Sequence, residues 1–338
     1  MYVIPNNKLN NKLNMFSLKT IIPRTLLLIL VAHSTTFAQR EGDQYVSNSL
    51  KRLLTINTIE CDIRIETFVD GKEYTASGHY EEQALPRMAL GQPAPFLRSM
   101  YRLDIFFRPP VNTPMASDAE PNRMTLVCRP SMNGERGQVE RRTSVEGNQS
   151  FHIIDLVRLE ERLQETNMEM LFAHVSEVHN LGGLAGKMRQ ISRFYEFSLS
   201  VQENLHTEET IPTLKLTGRL RSILHAEMLA MFGGLDKLGN YPADFPSDIE
   251  LWLGRHNDFP YKIRYLRRIS ENSEQKKLLY QESFFNVVLN GTPIPASRFD
   301  PLKPPDGVFA VDDTDRFIRA LGLERSSTNV SPTNRSHF

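Results

Sequence analysis

The chain has 338 residues, of which 40% are hydrophobic and 24% charged, an ordinary composition for a globular protein with a substantial core. Its 40 basic and 40 acidic residues balance, which argues against nucleic acid as the main partner because binding to phosphate backbones needs clustered positive charge. Its two cysteines are too few for a disulfide scaffold or a cysteine-based zinc site.

Residues 1–38 are typical of a cleavable export signal. Basic residues end at Arg24, the short apolar run "TLLLILVA" follows, and small residues stand at Thr36 and Ala38 before the expected cut. The run is short for a membrane span, and an uncleaved anchor is the alternative. We expect a periplasmic or otherwise exported protein, cut after Ala38, whose mature chain has four fewer basic residues, 36 against 40 acidic ones.

The mature chain begins with helical spacing and then changes to strand spacing. Residues 43–57 place Val46, Leu50, Leu53 and Leu54 on one face of a helix. After them, apolar and polar residues alternate, which is the pattern of strands with one buried face. The strands predicted in this way cover residues 58–80, with a hairpin turn at Asp70-Gly71, and residues 100–108 and 122–129.

The middle of the chain, residues 153–194, has helical spacing that glycines interrupt. In "NLGGLAGKM" the glycine spacing and the final Met188 do not fit a phosphate-binding loop, so we interpret Gly182 and Gly183 as a break between two lid helices. Strand patterns resume from Tyr195 to the C-terminal part of the chain, with one short apolar helix among them.

This order of elements predicts an α+β fold. It consists of a single curved antiparallel sheet, an open half-barrel, with helices on its concave side as a lid. We expect one domain over residues 39–323 and a disordered tail over residues 324–338.

Signatures of catalysis are missing from the sequence. It contains no Gly-x-Ser-x-Gly elbow and no His-Glu-x-x-His pair, and its histidines are scattered singly. We therefore expect a protein that is not an enzyme and that carries no cofactor and no metal. Cys61 and Cys128 lie on the apolar phase of two strands, where they either form a disulfide, if the strands are neighbours, or remain buried thiols.

An apolar cavity between the sheet and its helices is the site that these patterns favour. Methionine is unbranched and polarisable and suits a surface that accommodates flexible hydrocarbon, and the predicted lid segments "NMEMLF" and "AEMLAMF" are rich in it. Ordinary core packing is the alternative for each of these residues. The candidate lining residues are Ile63, Ile65, Leu103, Ile105, Phe107, Met168, Leu171, Phe172, Met228, Met231, Phe232 and Trp252.

Three places in the sequence resemble the LolA-like family of periplasmic lipoprotein carriers, whose relatives include the regulator RseB. The first two are the predicted hairpin "DIELWLGRHNDFPYKIRYL" and the strand "YQESFFNVVLNGTPIPASRF". The third is "RFDPLKPPDGVFAVDDTDRF", residues 298–317, which we call the strap. The match covers residues 247–312, and the family's usual early "Asp-Gly-x-x-Trp" strand is missing. The strap residues that match are Phe299, Pro304, Pro305, Gly307 and Val308.

The resemblance implies an open half-barrel with a helical lid and with the strap at its last edge. There the prolines would stop further strand pairing, while Phe299, Val308 and Phe309 would cover apolar surface. Carriers of this type also hold the lid with a buried arginine. The candidates for that arginine are Arg64, Arg102 and Arg123.

The function that the resemblance implies is that of an exported, non-enzymatic carrier or binder of lipid or lipoprotein acyl chains. Burial of a chain gains roughly 0.8 kcal/mol per methylene, so no catalytic residue is needed. Further partners would be a membrane-bound acceptor or a signalling protein, and not nucleic acid. The alternative is an extracytoplasmic sensor, a regulatory interaction module of the RseB type.

Overall fold

The structure is a computed structural model that describes residues 41–69, 72–85, 99–108, 122–130, 136–165, 182–198, 201–206 and 209–320. Within these ranges the helices are α1 (residues 41–53), α2 (Leu156–Glu165), α3 (Gly183–Phe194), α4 (Ser222–Met231) and α5 (Thr314–Ala320). The strands are β1 (Thr58–Val69), β2 (Lys72–Ala84), β3 (Ser99–Arg108), β4 (Asn122–Arg129), β5 (Gln138–Val145), β6 (Asn148–Asp155), β7 (Tyr195–Phe197), β8 (Val201–His206), β9 (Thr210–Leu220), β10 (Asp248–Gly254), β11 (Pro260–Arg268), β12 (Lys276–Leu289) and β13 (Ala310–Asp312).

All thirteen strands belong to one open sheet, in the order β13-β6-β5-β4-β3-β2-β1-β12-β11-β10-β9-β7, with β8 also paired to β9. Two meanders, β1 to β6 and β9 to β12, are joined where β12 returns beside β1. The predicted α+β half-barrel is confirmed. The sheet is mixed rather than wholly antiparallel, because β13 lies parallel to β6.

Alternation along β1 shows how the sequence defines two faces. Ile59, Cys61 and Ile63 are each less than 5% exposed, whereas Glu60 and Arg64, on the alternate positions, are exposed. Successive side chains of a strand point to opposite faces, so the first three mark one face of the sheet. We call this the inner face and the opposite one the outer face.

The helices gather on the inner face. Each contributes to the one buried cluster that includes the inner side chains of the strands: Val46 from α1, Leu156 from α2, Met188 from α3, Met228 from α4 and Phe317 from α5. No helix in the described part of the chain is long and apolar enough to cross a membrane.

The strap takes a different course and crosses the outer face. Arg298 binds Glu81 of β2, with 2.8 Å from Nη2 to Oε2, and the backbone N–H of Leu302 donates to Glu140 of β5. Between these contacts Phe299 is only 2% exposed. The strap then reaches the edge of the sheet as β13.

Candidate functional site: the inner face and its covering helix

A row of apolar side chains crosses five neighbouring strands of the inner face. Ile65 on β1 is directly opposite Ala76 on β2, and Ala76 is opposite Phe107 on β3. Met124 on β4 and Tyr280 on β12 continue the row diagonally. All but Ala76 are only partly buried although they pack against the core. We call this set the inner stripe.

Helix α3 covers the inner face beside this stripe, and the buried carboxylate of Glu82 on β2 binds the backbone of its first turn. Glu82, only 6% exposed, accepts the backbone N–H of Leu184 at 3.0 Å. It also accepts the hydroxyl of Tyr80 at 2.6 Å and that of Ser99 at 2.5 Å. Because the N-terminal end of a helix carries partial positive charge and unpaired N–H groups, it is a good partner for an anion. Burial raises the pKa of Glu82, while these three hydrogen bonds oppose the rise.

The glycines before α3 are explained by this contact. Gly183 has φ +61°, and a Cβ atom there would lie 2.2 Å from Oε1 of Glu82. Gly182 has φ 83°. Both values lie in the left-handed region that glycine adopts without penalty. The glycine pair therefore lets the chain approach a carboxylate of the sheet, and the carboxylate takes the place that a bound anion would need.

A second buried carboxylate binds the same helix one turn later. The ammonium group of Lys187 donates to Glu282 on β12, and the hydroxyl of Tyr280 donates to the other oxygen of that carboxylate. Lys187 is 7% exposed and Glu282 3% exposed. Glu282 is directly opposite Ile65, so this ion pair places α3 at the inner stripe.

The arginines expected to hold the lid do not do so. Arg64 and Arg102 lie on the outer face, where Arg64 binds Glu66 and Arg102 binds Asp104. Arg123 lies over the ring of Phe106. At α3 the sheet instead supplies the carboxylates, and the helix supplies a lysine and its N–H groups.

The predicted lining residues fall into several groups. On the inner face, Ile63, Leu103 and Ile105 are buried in the core, whereas Ile65 and Phe107 belong to the inner stripe. Met228 is buried, Met231 ends α4, and Phe232 packs edge-on against Phe245. Met168, Leu171 and Phe172 lie outside the described residues.

Trp252, another predicted lining residue, does not lie on the inner face. Its neighbours Leu251 and Leu253 belong to the core cluster, but Trp252 points to the outer face and is 2% exposed under three cations. The ring centroid lies 4.8 Å from Nζ of Lys215, and Lys262 and Arg264 lie within 5.4 Å. Strand β10 is buried on both faces, so alternation alone could not assign the side of this residue.

The strap residues differ in their burial. Phe299 is buried, Pro305 and Val308 are half-buried, and Pro304 and Gly307 are exposed. Phe309, expected to cover apolar surface, is instead 90% exposed next to the edge strand β13.

The two cysteines do not form a disulfide. Both are buried free thiols, and strands β2 and β3 lie between β1, which carries Cys61, and β4, which carries Cys128. Three strand spacings amount to roughly 14 Å, twice the reach of a disulfide. Burial raises the pKa of the Cys61 thiol and raises that of Cys128 to about 12. Of the two alternatives predicted from the sequence, a disulfide or two buried thiols, the structure has the buried thiols.

The carboxylates that hold α3 were not predicted from the sequence. Their signal was a charged residue on the apolar phase of a strand: Glu82 follows Tyr80 by two positions, and Glu282 precedes Phe284 by two. The described residues contain no group of side chains suited to a metal ion.

No family model matches the sequence, and no curated protein matches it. Among solved structures, the chain is similar to an outer membrane lipoprotein-sorting protein domain from Vibrio parahaemolyticus, with a TM-score of 0.31 and 9% identity over 78% of this chain and 97% of that one. It is similar to lipoprotein LppX of Mycobacterium tuberculosis, with a TM-score of 0.32 and 9% identity over 76% and 98%. It is also similar to the MucA/MucB complex of Pseudomonas aeruginosa, with a TM-score of 0.33 and 12% identity. This match covers 76% of this chain and 60% of that one.

These neighbours include a lipoprotein-sorting domain. At TM-scores of 0.31 to 0.33 the likeness carries no information about the ligand or the activity of this chain.

Proposed function

We propose that the protein is an exported, non-enzymatic carrier or binder of lipid or lipoprotein acyl chains. The observation that supports this most directly is the inner stripe, which crosses five strands and in which four of the five side chains remain partly exposed. An ordinary core would bury them, whereas a hydrocarbon chain lying along the stripe would complete their contacts and gain roughly 0.8 kcal/mol per methylene.

Helix α3 is the cover of this site in the proposal. Its two contacts with the sheet, at Glu82 and at Glu282, are polar and lie on either side of β1. The helix also buries Leu184, Met188 and Ile191 in the core cluster, so its displacement would expose apolar surface that a bound acyl chain would cover. Displacement of α3 would open the stripe, and return of the helix would close it over the ligand.

Uptake of a fluorescent fatty acid by the mature chain tests the proposal, with native mass spectrometry to detect lipid that copurifies. We expect saturable uptake that is weakened about tenfold by Phe107→Ser, because the substitution removes one large apolar contact of the stripe. Phe106→Ser is the matched control: Phe106 is the preceding residue, points to the outer face and is 41% exposed.

Uptake that is lost equally in both variants would contradict a site on the inner face. A wild-type protein that is empty in the mass spectrum and takes up no fatty acid would exclude the carrier, and it would favour the sensor of the RseB type.

A further inference from the structure

A second candidate site lies where α4 meets the ends of β9 and β10. It is a polar cavity of about 330 Å³, and its lining includes Arg219, Ser222, His225, Tyr241 and Glu271. We call it the α4 pocket. It is formed by different residues from the inner stripe and has the opposite character, so it is not part of the site described above.

The charge of Asp248, which lines the pocket, is already neutralised by neighbouring groups. Asp248 is fully buried and accepts hydrogen bonds from Arg268 at 2.6 Å, from Lys276 at 2.8 Å and from Ser247 at 2.8 Å. Burial alone would raise the pKa of Asp248, but these donors outweigh it and hold the pKa below its usual value. This carboxylate is therefore a fixed part of the structure and not a group that a ligand would need to satisfy.

Two other charges of the pocket have no ion-pair partner among the described residues. Arg219 lies on β9, and Glu271 lies in the turn between β11 and β12. They do not bind each other, and both act on the hydroxyl of Tyr241, which also lines the pocket: burial and then Glu271 raise the pKa of Tyr241, and Arg219 lowers it. The pocket thus presents the positive charge of Arg219, with Glu196 of β7 directly opposite it, and the negative charge of Glu271. The phenol of Tyr241 also contacts Nε2 of His225 at 3.0 Å.

Exposed aliphatic side chains flank residues of this pocket in the chain. Ile223, next to Ser222 of the lining, is 79% exposed, and Leu235 and Leu238 are 51% and 85% exposed. The turn that carries Leu238 is fixed, because the carboxylate of Asp236 accepts the backbone N–H groups of Leu238 and Asn240, both at 2.8 Å. Three large apolar side chains held in water next to a polar cavity are typical of an interaction surface.

From these contacts we propose that the α4 pocket binds the zwitterionic headgroup of a membrane phospholipid of the phosphoethanolamine type. Arg219 would bind the phosphate, Glu271 would accept a hydrogen bond from the ammonium group, and Ile223, Leu235 and Leu238 would enter the apolar edge of the bilayer. Charge complementarity selects this occupant, because a purely anionic headgroup leaves Glu271 without a partner and a quaternary ammonium has no hydrogen to donate. The site would place the protein on a membrane independently of any acyl chain on the inner stripe.

Co-sedimentation of the full mature chain with phosphatidylcholine vesicles tests this. Two vesicle preparations are compared, one that contains phosphatidylethanolamine and one that contains phosphatidylglycerol at the same mole fraction. We expect binding about tenfold tighter with phosphatidylethanolamine, a five- to tenfold loss in Arg219→Gln and in Glu271→Gln, and a similar loss in Leu238→Ser. Phe309→Ser is the matched control, since Phe309 is 90% exposed beside the opposite edge strand of the sheet.

Equal or tighter binding to the phosphatidylglycerol vesicles would overturn the proposal, and so would a loss in Phe309→Ser as large as that in Leu238→Ser. Saturable binding of soluble phosphoethanolamine without any binding to vesicles would also overturn it, in favour of a small-molecule pocket. The outcome is separate from that of the proposed function, because Phe107→Ser should lose fatty acid uptake and keep vesicle binding, whereas Glu271→Gln should do the reverse.

Discussion

The two faces of β2 use the same chemical group in different ways. Glu81 and Glu82 are consecutive and both nearly buried. Glu81 points outward and binds the guanidinium of Arg298 in the strap, whereas Glu82 points inward and binds the first turn of α3. One carboxylate thus fixes an extended segment through a full countercharge, and the next fixes a helix through backbone N–H groups.

The two faces differ in what happens to the remaining group when one partner of a polar contact is removed. On the outer face the side chain of Arg298 is 41% exposed, so water can replace a lost contact. On the inner face Glu82 and Glu282 lie among apolar side chains, where an unpaired charge is costly. The inner contacts should therefore be the more sensitive to substitution.

The largest effect is expected for Lys187→Met. The substitution leaves Glu282 buried without its cation, and we expect a loss of about 3–5 kcal/mol in the free energy of unfolding. Urea unfolding measures it. The double variant Lys187→Met/Glu282→Leu is the control, because it removes both charges and should recover most of the loss. A double variant as unstable as the single one would show that the pair acts through packing and not through charge.

A somewhat smaller loss, about 2–4 kcal/mol, is expected for Gly183→Ala. The new Cβ atom would meet the carboxylate of Glu82 and would also impose a side chain at φ +61°. Gly147→Ala separates the two causes, since Gly147 has φ +79° with nothing within 4 Å of the added carbon. We expect about 1 kcal/mol there. Equal losses at both positions would mean that the contact with Glu82 is unimportant.

The pH dependence should have opposite signs at Glu82 on the inner face and Asp248 on the outer face. The folded-state pKa of Glu82 is raised by burial, so its favourable contribution is present below the unfolded-state pKa and is lost as the pH rises through the folded-state value. The pKa of Asp248 is lowered despite burial, by Arg268, Lys276 and Ser247, so its contribution is present above the unfolded-state pKa and is lost as the pH falls.

Unfolding of Glu82→Gln and Asp248→Asn between pH 3 and pH 7 checks these signs. The deficit of Glu82→Gln relative to the unsubstituted protein should shrink as the pH rises, and that of Asp248→Asn should grow. Two deficits that change in the same direction would contradict the assignment of at least one carboxylate.

The smallest effect is expected on the outer face, at the strap. Arg298→Gln should cost about 1 kcal/mol, because the side chain of Arg298 is 41% exposed and water can take its place beside Glu81. Thermal unfolding compared with Phe309→Ser, which should be neutral within about 0.5 kcal/mol, measures this difference. A loss at Arg298 as large as that at Lys187 would remove the distinction between the two faces.

The sequence predicts the architecture better than the site, for physical reasons. Alternation along β1 and β2 depends on local burial, which a two-residue period reports directly. Glu82 and Glu282 break this pattern because α3 binds them. The helix is about 100 residues away from each in the chain, and a local pattern does not report a partner at that separation. The side of Trp252 was likewise hidden, because β10 is buried on both faces.

The adjacency of Glu81 and Glu82 also affects how β2 can pair with its neighbours. A slip of one residue would turn every side chain of the strand to the other face. It would carry the outer carboxylate into the apolar interior and the inner one away from α3, so that both anchors would fail together. A strand with only one such carboxylate would lose one contact on slipping, whereas this pair makes the correct alignment of β2 a condition for holding the helix and the strap at the same time.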